Sequence, residues 1–160
     1  MQPGLDGSKP SSPEDLVLLG DSLKSVGKYD DSIVAYRDAT ALNPNLAEAH
    51  CNMGQVLYEL GRFEDAVLAH KKALQVRPDY AKAHAYLGRT FSALGRYGEA
   101  VRSFEQAADA RPGYAKAYLF LGLTHMQQGD IDAAIAAQRR AIEIDPGHEK
   151  AHYNLAIAHL

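Results

Sequence analysis

Cysteine is nearly absent from this 160-residue chain: Cys51 stands alone and cannot form an internal disulfide. The fold therefore does not need an oxidising compartment. No stretch approaches the roughly 18 consecutive apolar residues that span a bilayer, so membrane insertion is not expected. Positive charge is not in excess either. The net charge is -3 and the pI about 6.1, whereas a general affinity for nucleic acid shows as a strongly basic face, so no nucleic-acid partner is expected. A Gly-rich phosphate loop and a nucleophile elbow are both missing from the sequence. Residues 1–12, MQPGLDGSKPSS, have neither the apolar run of a secretory signal nor the Arg-rich amphipathic character of a transit peptide. Pro, Gly and Ser fill seven of those twelve positions, which reads as a flexible tail, and the expected location is the cytoplasm.

What the chain has in quantity is periodicity. Pro44, Pro78, Pro112 and Pro146 stand 34 residues apart, and two glycine ladders keep the same step: Gly20, Gly54, Gly88, Gly122 and Gly27, Gly61, Gly95, Gly129. A period of 34 belongs to helix–turn–helix units that bury their apolar faces only by stacking on copies of themselves. With 46% apolar residues, the composition suffices for a continuous core. The second ladder marks turns, where a residue without Cβ takes up the left-handed conformation that closes a helix. The first lies in helix interiors, where glycine costs roughly 1 kcal/mol relative to alanine, so close packing must offset it. Ser32, Ala66, Ala100 and Ala134 are the expected small residues on the facing helices. Ser12, ahead of Pro13 and three residues before Asp15, is a helix start signal. The helices are expected over 13–26, 29–42, 47–60, 63–76, 81–94, 97–110, 115–128, 131–144 and 149–160.

Each copy resembles the tetratricopeptide repeat, whose pattern is W-x2-L-G-x2-Y, then A-x3-F, then P. The first copy supplies Leu16, Leu19, Gly20, Leu23, Ser32, Tyr36 and Pro44, and the second His50, Met53, Gly54, Leu57, Ala66, His70 and Pro78. The third has His84, Leu87, Gly88, Phe91, Ala100, Phe104 and Pro112, and the fourth Tyr118, Leu121, Gly122, His125, Ala134, Gln138 and Pro146. A fifth begins with His152, Leu155, Ala156 and His159. The resemblance implies an all-α, right-handed α-solenoid over residues 13–160, with repeats 13–46, 47–80, 81–114 and 115–148 and a further helix in the partial copy 149–160. That last stretch, AHYNLAIAHL, is largely apolar where a solenoid normally ends in a polar face, so the expectation is either a longer array or an end covered by another molecule, self-association through this end included.

Each candidate for chemistry competes with a packing role. His148-Glu149-Lys150-Ala151-His152 fits the H-E-x-x-H zinc pattern, but His152 falls in register with His50, His84 and Tyr118, and no third ligand is at hand. His70 aligns with Tyr36 and Phe104, and His125 with Leu57 and Phe91, all packing positions. Cys51 reads as a buried or groove-lining thiol. The chain is expected to be no enzyme and to need no metal or cofactor.

In the family, function lies on the concave groove lined by the inner helices. Here that surface reads Glu48, Cys51, Asn52, Gln55 in the second copy and Lys82, Ala85, Tyr86, Arg89 in the third. It continues as Lys116, Leu119, Phe120, Leu123 and then Lys150, Tyr153, Asn154, Ile157. A column of Lys82, Lys116 and Lys150 thus runs beside an apolar strip. Lysine in a first helical turn meets the positive end of the helix dipole, an arrangement that an anionic ligand would relieve. Of the five polar groove residues with which one branch of the family clamps a chaperone's C-terminal carboxylate, two match, Asn52 and Lys82; Val17, Asp21 and Tyr86 fill the other places. The asparagine ladder of the glycosyltransferase branch survives only at Asn52 and Asn154. The expectation is a protein-interaction scaffold that takes a peptide or helix of a partner protein. The alternative is a substrate-recruiting segment of a larger, glycosyltransferase-like enzyme.

Overall fold

The structure is a computed structural model that describes residues 12–160. Among these residues the chain forms nine α-helices and no strand. They are α1 (Pro13–Ser25), α2 (Tyr29–Leu42), α3 (Ala47–Glu59), α4 (Phe63–Val76), α5 (Ala81–Ala93), α6 (Tyr97–Ala110), α7 (Ala115–Gln128), α8 (Ile131–Ile144) and α9 (Glu149–Ala158). The tail expected over 1–12 lies outside the described residues except for Ser12, which caps α1. Its hydroxyl accepts from the Asp15 backbone N–H at 3.1 Å while the Asp15 carboxylate accepts from the Ser12 N–H at 3.2 Å, a reciprocal capping box.

Helix ends depart from expectation by one residue in α1, α3 and α5 and by two in α9. The turn glycines explain the shorter inner helices. Gly61 has φ +73 and Gly95 φ +71, and beyond each the chain folds back: Arg62 N–H donates to Leu57 C=O at 2.8 Å and Arg96 N–H to Phe91 C=O at 2.8 Å. That closure consumes the last helical carbonyls and stops the helix one residue early. At the other end, the residue before each proline is extended, as at Asn43 (φ -137), because proline's ring excludes the helical region for its predecessor.

Successive helices pack as antiparallel neighbours, and each odd-numbered helix also touches the next odd-numbered one. Among the described residues no two even-numbered helices touch. The stack therefore bends with α1, α3, α5, α7 and α9 on its concave side and the even-numbered helices splayed on its convex side. The interior glycines permit the close packing, with a partner different from the one expected. A Cβ on Gly20 would come within 2.5 Å of the Tyr36 ring, one on Gly54 within 2.5 Å of His70, and one on Gly88 within 2.8 Å of Phe104. Each missing Cβ makes room for the large side chain one turn beyond the small residue. The small residues still pack tightly: Ala66, Ala100 and Ala134 are fully buried, and Ser32 Oγ donates to Gly20 C=O at 2.8 Å. No helix among the described residues is long and apolar enough to cross a membrane.

Candidate functional site

The side chains that fill the space left by the glycines form a second layer beneath the groove. His70, enclosed against Gly54, stacks on Tyr86 with ring centres 5.8 Å apart, and Phe104, enclosed against Gly88, stacks on Phe120 at 5.8 Å. Gln138 takes the same place under the fourth repeat and donates from Nε2 to Leu119 C=O at 3.2 Å. The groove aromatics are thus held from below by outer-helix side chains.

Arg89 occupies the middle of this surface. Its guanidinium carbon lies 4.9 Å from the Tyr58 ring centre, 5.4 Å from Phe120 and 5.6 Å from Tyr86, and no carboxylate pairs with it among the described residues. Aromatic faces stabilise the cation without neutralising it. Two clefts meet at Arg89 and Phe120. One, of about 410 Å³, is lined also by Tyr86, Tyr114, Lys116, Leu119, His148 and Lys150. The other, of about 300 Å³, is lined by Tyr58, Leu123, Thr124 and neighbours. Neither has an acidic side chain in its wall. Lys116 and Lys150 are exposed and without an ion-pair partner among the described residues. Burial raises the phenol pKa of Tyr86 and Tyr114, so both remain neutral hydrogen-bonding groups.

Other expected groove residues stand differently. Asn52 is only 2% exposed and spends its amide internally, donating to Asp21 Oδ1 at 2.9 Å and accepting from Lys82 Nζ at 3.3 Å. Asp21 also accepts from the Tyr36 hydroxyl and lies 3.5 Å from Lys24 Nζ. Lys82 is half-buried by this network and lies 5.8 Å from the Tyr86 ring. Leu119, 4% exposed, is the floor of the larger cleft and packs on Ala141 and Ala151. Asn154 is buried, whereas Tyr153 (68% exposed) and Ile157 stand free on α9. Asn52 is buried because it faces the neighbouring inner helices, α1 through Asp21 and α5 through Lys82. Cys51 is fully buried, not groove-lining, and desolvation pushes its thiol up to about 11, away from reactivity. His152 Nε2 donates to Pro146 C=O at 2.8 Å, as His84 does to Pro78 and His50 to Pro44. This clamp from α3, α5 and α9 to the preceding loop gives the histidine ladder a structural task.

Comparison with known proteins agrees with this architecture. Tetratricopeptide repeat models match residues 86–149 and 47–80, and a TPR repeat model matches residues 20–61. Among solved structures, MamA is 28% identical, with 88% of this chain and 82% of that chain covered and a TM-score of 0.81. A thermophilic TPR protein in Thermus thermophilus is 23% identical over 92% of this chain and 81% of its own, with a TM-score of 0.77. YrrB, described as a TPR protein with an unusual peptide-binding site, is 21% identical over 96% and 78%, with a TM-score of 0.75. The last two likenesses carry the fold alone. No curated protein matches the chain.

Proposed function

The chain belongs to the tetratricopeptide repeat family, and from that premise we propose that it is a non-catalytic scaffold whose concave groove binds an acidic segment of a partner protein. The observation that carries the reading is the Arg89 enclosure. A cation ringed by three aromatic side chains, with Lys116 and Lys150 beside it and no acid in the cleft wall, is complementary to a carboxylate next to an apolar side chain. Tyr86, Phe120 and Leu123 supply the apolar contacts, and Leu119 the floor. Adjacent inner helices stack about 10 Å apart, so Arg89 to Lys150 spans on the order of 20 Å, the reach of an extended peptide of roughly six residues. Lys82, Asn52 and Asn154 border this surface as supports, with Tyr153 and Ile157 at its α9 end.

Charge and apolar contact separate by kinetics. For a fluorescent hexapeptide rich in Asp, Glu, Leu and Phe, Lys116→Glu with Lys150→Glu should slow association and flatten its salt dependence. Phe120→Ala should mainly speed dissociation. Equal binding of a Lys- and Arg-rich counterpart, or parental binding by both variants, removes the concave groove as the site. Self-association through Tyr153 and Ile157 belongs to the same reading; light scattering that shows a monomer at every concentration excludes it. A cytoplasmic location completes the proposal, and recovery in another cell fraction would refute it.

A further inference from the structure

The bend that closes the concave side opens the convex one. Because α2 and α4 do not touch, a furrow runs between them, floored by His50, Met53 and Leu57 of α3. It comprises two joined clefts, of about 600 and 270 Å³, that share Arg37, Thr40, His50 and Lys72. Along α4 the lining residues run from Asp65 to Val76, which at 1.5 Å per residue is about 16 Å, or three helical turns. Exposed Leu68 stands towards one end, beside the Arg62–Asp65 pair, and Val76 towards the other, and the centre is cationic.

Two further observations single out this furrow. Arg37 and Lys72 are exposed and have no ion-pair partner among the described residues, while the nearest acid in the wall, Asp65, is already paired with Arg62 at 2.7 Å. One repeat later these positions hold Lys71 and Gln106, and two repeats later Glu105 and Arg140, so two cations face each other only here. Beneath them His50 is 7% exposed; its Nε2 is used on Pro44 C=O at 3.0 Å, and its Nδ1 has no partner.

We propose that the furrow between α2 and α4 is a second docking site, which takes a short amphipathic helix of a partner protein with acidic residues at its centre and apolar residues at both ends. The helix lies in the furrow as amphipathic helices lie in apolar grooves, with anchors about one turn apart. Its carboxylates meet Arg37 and Lys72, and its leucine-sized ends meet Leu68 and Val76. The site is remote from Arg89, on the opposite layer and in the first two repeats. A scaffold with one site on each face can hold two partners at once.

The probe is a capped 12-residue amphipathic peptide with two glutamates on adjacent central turns and leucines at both ends, and its control carries glutamine for glutamate. Titrated into the whole chain, the glutamate peptide should shift backbone amide NMR signals of α2 and α4 around Arg37 and Lys72. Arg37→Glu with Lys72→Glu should weaken it by about tenfold or more, as loss of close charge pairing does. Arg37→Gln with Lys72→Gln should weaken it less, and Lys116→Glu with Lys150→Glu should leave the α2 and α4 shifts unchanged. Both cations are exposed, so circular dichroism should show all variants folded. The proposal is overturned if millimolar glutamate peptide does not bind, if the glutamine control binds as well, if the shifts fall only on α5, α7 and α9, or if the reversal variant's α2 and α4 shifts match the parent's. The last pattern but one would leave the concave reading standing and remove this one.

Discussion

Replacement of His70 by phenylalanine tests the second layer most directly, because it copies Phe104 one repeat on and removes a buried titratable ring. His70 is fully buried, and neither ring nitrogen has a hydrogen-bond partner. An unpaired buried polar group costs about 1–3 kcal/mol, so the parent is destabilised at neutral pH even with the ring uncharged. Burial, and after it the Arg89 charge, lower the pKa of His70 from 6.5 to about 3. The folded state thus binds fewer protons than the unfolded state between those values. This group's contribution to stability is complete above pH 6.5 and falls as the pH drops through the window towards 3. At pH 4.5, two units below the free value at about 1.4 kcal/mol each, the loss is roughly 2–3 kcal/mol.

Urea unfolding followed by far-UV circular dichroism at pH 7.5 and 4.5 measures this. Carboxylates also titrate near the lower pH, so the informative quantity is the difference between parent and His70→Phe. The variant should be about 1 kcal/mol or more stabler at pH 7.5 and should lose roughly 2–3 kcal/mol less than the parent on acidification. Repeat arrays unfold with weakened cooperativity, and comparison of the m-values guards against a change of mechanism. If parent and variant lose equal stability between the two pH values, His70 is not held neutral by burial, and the layered account of the groove fails with it.

Two glycine substitutions should move stability in opposite directions. Gly88→Ala places a Cβ 2.8 Å from Phe104 and should cost about 1–3 kcal/mol in thermal unfolding, whereas Gly98→Ala meets open space in α6 and should gain about 0.4–1 kcal/mol. A neutral Gly88→Ala would show that the ring does not fill that space. Ser12→Ala removes one half of the capping box and should cost about 1 kcal/mol; unchanged hydrogen exchange in the first turn of α1 would contradict that.

Helix positions were legible because the signals that set them are local: proline before the inner helix, glycine at a left-handed turn, a serine cap. The early ends of α1, α3 and α5 fall where the glycine turn folds back onto the last carbonyls, which spacing alone does not express. The groove was less legible, since residues that face solvent in one repeat are covered by the next. The sequence does carry a signal for its second layer, at a different step. Gly54, His70 and Tyr86 are spaced by 16, as are Gly88, Phe104 and Phe120, so gap, filler and groove ring recur at one interval on three successive helices. A reading confined to the 34-residue period pairs each glycine with the small residue opposite it and misses the ring. Asn52 was misplaced for a related reason: its partners, Asp21 and Lys82, lie 31 and 30 residues away, in neighbouring repeats.

That network also explains why the candidate site occupies one half of the stack. In the register of the 16-residue step, Gly20 and Tyr36 lead to Asn52, a polar group where the next two repeats place Tyr86 and Phe120. Tyr36 has a hydroxyl that requires a partner; Asp21 supplies it, and the carboxylate in turn draws in Asn52 and Lys24. Burial and the Asp21 hydrogen bond both push the Tyr36 phenol pKa up, so it donates throughout the neutral range. Phe104 has no such group, and the carboxylate is unnecessary beneath Phe120. The hydroxyl that distinguishes Tyr36 from Phe104 thus belongs to a network in which the polar groups of the first half of the groove satisfy one another. The second half is left apolar and cationic around Arg89. An acidic ligand finds the cations beside Asp21 already engaged and is drawn towards the unpaired Lys116 and Lys150, so the charge the groove offers depends on the ring in the layer below it.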